Sequence, residues 1–382
     1  MVSPHNPSSW EGPTPSPTAN AAIITRFRIQ INNAIPSILQ RLWDTRLKDT
    51  RIMLVLCGSY GGMMERHVLA YRAPLYGRRT GQWKLAPLDF WAAQAFFPHL
   101  EPADRVRAFA VLGGVPAYLI HFRKVEDLLS GIEQNILTPG TFLYEEPRFL
   151  LLEELRDPHR HFAILEAVAG GKTRPSEIAQ AAGISPSSLS FYLDTLQALD
   201  LVERVVPATV EKPHKYKRAI YRLKDNFFRF WFRFVYPNRS ILERGDVAYV
   251  RRHVQRFLDE FTALVFEEIS RQYILRLHRT GRRMWMPERV GAWWDGKEEI
   301  DVVAINFREG RILLGECKWS THPVGMNTLQ SLVARASRLP LEKWQDAAYV
   351  LFSRAGFTDE VRRYAKATGN VILVGLEEMV RG

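Results

Sequence analysis

Apolar positions recur with a helical period along much of the chain and give way to strand-like runs at its start, middle and end. Residues 34–46 put Ile35, Ile38, Leu39 and Leu42 on one face, the pattern of an amphipathic helix. The stretch Arg51–Tyr60 is apolar without alternation and runs into a polar turn, which predicts a buried parallel strand. A short helix at Met63–Arg66, the polar segment Pro74–Thr80 and a strand around Trp83–Leu85 are expected next. Further helices follow, with Gly113-Gly-Val-Pro116 between two of them.

The middle of the chain is more regular. Helices are predicted over His161–Ala169, with Phe162, Leu165 and Val168 inward, and over Pro175–Ala182, with Ile178 and Ala179 inward. After the turn Gly183-Ile184, Ser185-Pro186 supplies a capping side chain and a first-turn proline. The third helix, to Leu199, carries Leu189, Leu193 and Leu196 on one stripe. Two extended runs, Leu201–Val206 and Ala219–Leu223, flank a basic tip holding Lys212, Lys215, Lys217 and Arg218. Helix-turn-helix plus hairpin predicts a winged helix.

The outer face of its third helix offers Ser187, Ser188, Ser190, Phe191, Asp194 and Thr195, with only Gln197 near the end suited to a base edge. Ser187, Ser188 and the four basic residues of the tip are the candidate DNA contacts, the tip holding phosphates without reading sequence. Packing between domains is the competing use of such a module. The run Phe227–Tyr236 is apolar nearly all round, so burial is expected rather than base stacking.

The last third predicts an α/β domain. A helix over Phe257–Leu275 carries Glu267 and Glu268. An extended stretch at Met284–Val290, a turn at Asp295-Gly296, a strand to Ile305, a hairpin turn at Asn306–Gly310 and a return strand Arg311–Trp319 follow. Helices at Gly325–Leu339 and Asp359–Lys366 alternate with strands at Ala347–Phe352 and Val371–Val374. One hairpin brings Asp301 beside Glu316. Strand alternation puts Glu316 and Lys318 on one face and turns Cys317 into the core. Two carboxylates make a hard oxygen site suited to Mg²⁺, and Lys318 beside them suits a phosphate. His322 follows in a loop.

Composition narrows the partners. The chain has 382 residues, 46% of them hydrophobic, enough for two or three domains, and Lys plus Arg exceed Asp plus Glu by 11. That surplus suits nucleic acid. Two cysteines, Cys57 and Cys317, argue against a disulfide framework or a cysteine-ligated zinc. Residues 1–22, rich in Pro, Ser and Asn, read as a disordered tail. No run is long enough for a membrane span and no signal peptide is evident, so a cytoplasmic protein with no membrane partner is expected.

Several motifs carry a resemblance. Cys57-Gly-Ser59, Leu75-Tyr-Gly-Arg-Arg-Thr80 and Gly113-Gly-Val-Pro116 resemble the second half of the archaeal-type ATPases of the AAA/STAND group, a similarity running from about Ala34 to the C-terminus. It implies that Ser59 is the relic of a polar sensor near nucleotide phosphates, with Arg78 and Arg79 as further phosphate-contacting relics. The phosphate-binding loop and the acidic strand end that holds Mg²⁺ in such ATPases are not found before Ala34. Gly171-Lys172-Thr173 has Glu166 where the loop needs glycine and is a decoy. ATP binding and turnover are therefore not expected. Asp301 and Glu316-Cys-Lys318, after a helix with Glu267, resemble the PD-(D/E)xK restriction-endonuclease-like core of DUF234-type domains attached to these ATPases. The resemblance implies catalytic Asp301, Glu316, Lys318 and Glu267, with Mg²⁺ on Asp301 and Glu316.

The expected architecture is α/β and multidomain: a tail at 1–22, a partial P-loop ATPase remnant with helical lid at 23–145, a winged helix-turn-helix at 146–240 and a restriction-endonuclease-like domain at 241–382. The expected function is Mg²⁺-dependent cleavage of DNA docked by the winged helix. The alternatives are a nucleotide-dependent regulatory ATPase and a noncatalytic assembly partner of a complete ATPase relative or of a second copy.

Overall fold

The computed structural model describes the chain except residues 1–20, 27–33, 58–70, 72, 156, 282–284 and 342–343. Ser59, the helix expected at Met63–Arg66 and most of the expected tail lie outside the described residues. The chain forms two compact units, Met1–Leu85 with Ala198–Asp200, and Ala86–Gln197 with Leu201–Gly382.

In the first unit, strand β1 (Ala21–Arg26) pairs in parallel with β2 (Ile52–Cys57). A helix, Ile35–Leu42, lies between them in sequence and ends in a wide turn at Trp43–Leu47. The expected apolar face of this helix is not buried: Ile38 and Leu42 are exposed, and only Pro36 is covered. Met53 of β2 is likewise exposed, so the strand is parallel but not the buried strand expected. Two strands do not supply enough surface to cover both faces of an apolar run. The strand expected at Trp83–Leu85 is absent. Residues 81–89 have no regular structure and both side chains are exposed, since among the described residues no strand pairs with them.

The second unit is built around aromatic packing. The helix Asn226–Phe230 and the wide turn Trp231–Val235 bury Phe227, Phe228, Phe230, Trp231, Phe232 and Phe234. Phe230 and Phe234 meet Phe261 of the long helix Val247–Arg279 edge-on, with ring centres 5.7 and 5.6 Å apart. The Trp231 indole donates to the Tyr144 carbonyl at 2.9 Å. Each such buried ring stabilises the fold by about 1.5–3 kcal/mol, and burial between elements is what the all-round apolar pattern predicted. Gly113-Gly-Val-Pro116 separates the helices Pro102–Leu112 and Pro116–Leu119, as expected.

The middle region folds as read. Helices Pro158–Ala169, Pro175–Ala181 and Pro186–Ala198 bury Leu165, Val168, Ile178, Leu189, Leu193 and Leu196. Gly183 supplies the turn before the third helix at φ +64°, a conformation that favours glycine. Strands β3 (Val202–Val205) and β4 (Ile220–Leu223) close an antiparallel hairpin. Gly171-Lys172-Thr173 is the exit turn of the first helix: Lys172 N–H donates to the Ala167 carbonyl, and Thr173 accepts from Tyr221 of β4.

The C-terminal sheet has the order β5 (Arg289–Trp294), β6 (Glu299–Asn306), β7 (Arg311–Lys318), β8 (Asp346–Ser353), β9 (Val371–Gly375). The first three strands are antiparallel and the last three parallel. The switch at β7 needs a crossover, and the helix Met326–Ala336 provides it, packing Leu329 and Leu332 on Ile305, Ile312, Leu314 and Leu351. A second helix, Asp359–Thr368, joins β8 to β9. Three details differ from expectation. The Glu267 helix runs 33 residues, β5 extends through Trp293 and Trp294, and a last helix, Leu376–Arg381, caps the chain. Gly315 in mid-β7 is required by packing: a Cβ there would lie 2.7 Å from Val350 Cγ1 and 2.9 Å from Val302 Cβ. Among the described residues no helix is long and apolar enough to cross a membrane.

Candidate functional site

The ladder between β6 and β7 ends at Val302↔Gly315. Beyond it Asp301 turns its own carboxylate to the partner strand, where Oδ2 accepts from the Cys317 backbone N–H at 2.8 Å. The β5–β6 register shifts at this level, between Gly291 and Trp293, and such an irregularity re-aims side chains at a strand end. Asp301 is thus a half-buried group wedged between strands, not an exposed strand end. Glu316, one position past Gly315, is only 3% exposed. Its two oxygens are held by Lys318 Nζ at 2.8 Å and by Arg335 Nη2 at 2.7 Å, the latter from the crossover helix.

Glu267 reaches the cluster from the long helix and pairs with Arg271 at 3.5 Å, while Arg271 also donates to the Asp301 carbonyl at 2.7 Å. Burial, with the Glu267 and Glu316 carboxylates adding to it, pushes the Asp301 carboxyl up to about 7. Burial likewise raises Glu267, against the pull of Arg271. Burial holds the Cys317 thiol well above its usual range, with Ser270 of the long helix beside it, so this side chain packs inward as strand alternation predicted.

The four residues expected to form one site are therefore brought to one end of β6 and β7. Among the described residues no group of three or more His, Cys, Asp or Glu side chains converges closely enough to hold a metal ion. Mg²⁺ usually takes one or two carboxylates and keeps several waters, so the donor set of Asp301 and Glu316 fits it in kind. The Glu267 and Glu316 charges that raise Asp301 are the kind of electrostatic situation a dication relieves. Glu316 meets a cation only by exchanging one of its present partners. His322 sits in the exposed loop after β7, its backbone tied to Ser320.

Sequence reasoning missed Arg335 and Arg271, the two guanidiniums that fix this cluster. Their contacts cross from helix to strand, and no spacing along the chain signals them. A second missed group lies one residue past Lys318. The Trp319 indole donates to Asp259 at 3.0 Å, and Arg354 covers its ring at 4.8 Å.

On the winged helix, Lys212, Lys215, Lys217 and Arg218 are all exposed on the loop between β3 and β4. The same loop is fixed at its base: Ala208 N–H donates to the Ala292 carbonyl of β5 at 2.8 Å, and Arg289 donates to the carbonyls of Ala208 and Val210. Ser187 and Ser188 sit at the start of the third helix, each hydroxyl within hydrogen-bond reach of Ser185 Oγ. In the first unit Arg78 forms a two-pronged ion pair with Asp44, both bonds 2.8 Å, and Arg79 is exposed.

Comparison with known proteins agrees with part of this picture. Residues 159–205 match the IclR helix-turn-helix domain, and residues 231–330 match DUF234, described as archaeal and bacterial proteins of unknown function. The chain thus contains a helix-turn-helix domain and a DUF234 domain. An uncharacterised protein of Methanocaldococcus jannaschii is 33% identical over 76% of this chain, and the chain spans 65% of that relative's length. A second uncharacterised protein of the same organism is 41% identical over 9% of the chain and 33% of its own length. Two crystal structures of an O-methyltransferase from neocarzinostatin biosynthesis align with 56% of the chain at 17% identity, covering 63% and 62% of their own chains. Both have a TM-score of 0.16, too low for the folds to correspond.

Proposed function

We propose that this chain docks on duplex DNA through its winged helix and cleaves phosphodiesters at the Asp301 cluster in a Mg²⁺-dependent reaction. The observation that carries this reading is the mounting of the wing. Its base is hydrogen-bonded to β5, and β5 pairs with β6, the strand that bears Asp301. DNA held by the exposed lysines is thereby held to the same sheet as the carboxylates.

Asp301 and Glu316 would hold the ion, which supplies charge neutralisation at a phosphate when bound. Lys318, half-exposed at the end of β7, is placed to hold a phosphate oxygen or orient water. Arg271, paired with Glu267 on the helix, holds the Asp301 backbone carbonyl in position. The wing contributes affinity by phosphate contacts that carry no sequence information.

A plasmid-cleavage assay with Mg²⁺ or Mn²⁺ tests the chemistry. Nicking by the intact protein and its loss in Asp301→Asn is the expected result. Equal activity in both proteins, or none with either metal, overturns the catalytic part. A noncatalytic docking role is favoured by one observation, the double cation partnership of Glu316, and the same assay decides between the two.

A further inference from the structure

We propose that Phe191 is a base-reading residue, which contacts thymine methyl groups in the major groove. This rests on the DNA-docking reading above. The third helix of a helix-turn-helix is the element that enters the major groove. Its inner stripe is fully used by the fold: Leu189, Tyr192, Leu193 and Leu196 are buried. Its outer face carries Ser187, Ser190, Phe191, Asp194 and Thr195 and not one cationic side chain.

Phe191 stands out on that face. It is 69% exposed, and its ring lies edge-on to Tyr192 at 5.5 Å, so it adds little to the packing. Thr195 Oγ1, one turn on, donates to the Phe191 carbonyl rather than outward. Asp194 would repel phosphates, so the helix is poorly suited to gripping the backbone, a task left to the wing. The large apolar group this face presents is the Phe191 ring, and the one apolar group on a base edge there is the thymine C5-methyl. The division of labour is then explicit: the wing holds any duplex, and Phe191 favours registers that place thymine beneath it.

The test changes only that methyl. Full-length wild type and Phe191→Ala are titrated with two duplexes of the same AT-rich sequence, one containing thymine and one with deoxyuridine at every thymine. Wild type should bind the deoxyuridine duplex about fourfold more weakly, the effect of one buried methyl-sized group. Phe191→Ala should bind both duplexes equally, and Phe191→Leu, still apolar, should restore part of the difference. The paired ratios cancel any effect of deoxyuridine on DNA shape.

The same thymine-to-deoxyuridine ratio in wild type and Phe191→Ala overturns the inference, as does a wild-type ratio of one. A variant altered only in self-association, by light scattering, overturns it too and makes Phe191 a protein contact. Salt-dependent binding that survives those outcomes leaves the docking reading standing. Loss of all duplex binding, in wild type as well, sinks both.

Discussion

The wing and the Asp301 cluster are both dense in charge, yet they treat it oppositely. On the wing Lys212, Lys215, Lys217 and Arg218 project into solvent from a loop. In the cluster Glu316 is buried and met by Arg335 and Lys318, while Asp301 stays half-buried among other carboxylates. Exposed cations cost the fold little and act at a distance, through the field they present to a polyanion. Buried carboxylates are costly unless paired, so each must be fixed by a partner, and the pairing or its lack sets the protonation state. The difference predicts that substitutions on the wing change binding and leave stability alone, whereas substitutions in the cluster change stability and pH dependence first.

The sharpest break of this contrast is Arg335→Ala. It leaves the Glu316 carboxylate buried with Lys318 as sole cation and should destabilise the fold by about 2–4 kcal/mol in denaturant unfolding. Unchanged stability would mean that the pair is not the buried one described. Asp301→Asn comes next and has the opposite sign. The folded-state carboxyl titrates near 7 against an ordinary 3.8. Between those values the folded chain binds the extra proton, so stability falls as pH rises through this window and stays low above it. The Asn variant removes that loss while keeping an oxygen for the Cys317 N–H. Its thermal midpoint should exceed wild type at pH 8 and match it near pH 4. A flat difference between the two proteins across that range would refute the burial argument.

Smaller effects are expected on the exposed side. Lys215→Ala with Lys217→Ala should weaken binding to unrelated duplexes alike, by roughly tenfold at moderate salt, and reduce the salt slope by about 2. Its unfolding midpoint should equal that of wild type. A loss confined to one sequence would shift the role of the wing from holding to reading. Least of all, Arg78→Ala in the first unit should leave unfolding unchanged, since its partner Asp44 is itself exposed. A large loss there would show that the two-pronged pair organises the unit around β1 and β2.

The winged helix was legible in the sequence because its signals are local. The leucine stripe at 189, 193 and 196, the Ser185-Pro186 start and the glycine turn before it each act within one or two turns of chain. Strand period likewise placed Asp301, Glu316 and Lys318 at neighbouring strand ends and turned Cys317 inward. Where neighbours were missing, the same reasoning failed: the apolar faces at Ile38 and Met53 stayed exposed, and Trp83–Leu85 formed no strand. Burial and pairing depend on what lies opposite, which a period cannot report.

What the sequence determined by itself was therefore most of the elements from the winged helix onward and the chemistry available on their faces. Tertiary structure alone decided which charges meet. Arg335 comes to Glu316 from a helix after a crossover, Arg271 to Asp301 from the long helix, and the Ala208 N–H to β5 from the wing. Those contacts join residues far apart in the chain, and the free energy that places them comes from close packing of whole elements, which no local pattern contains.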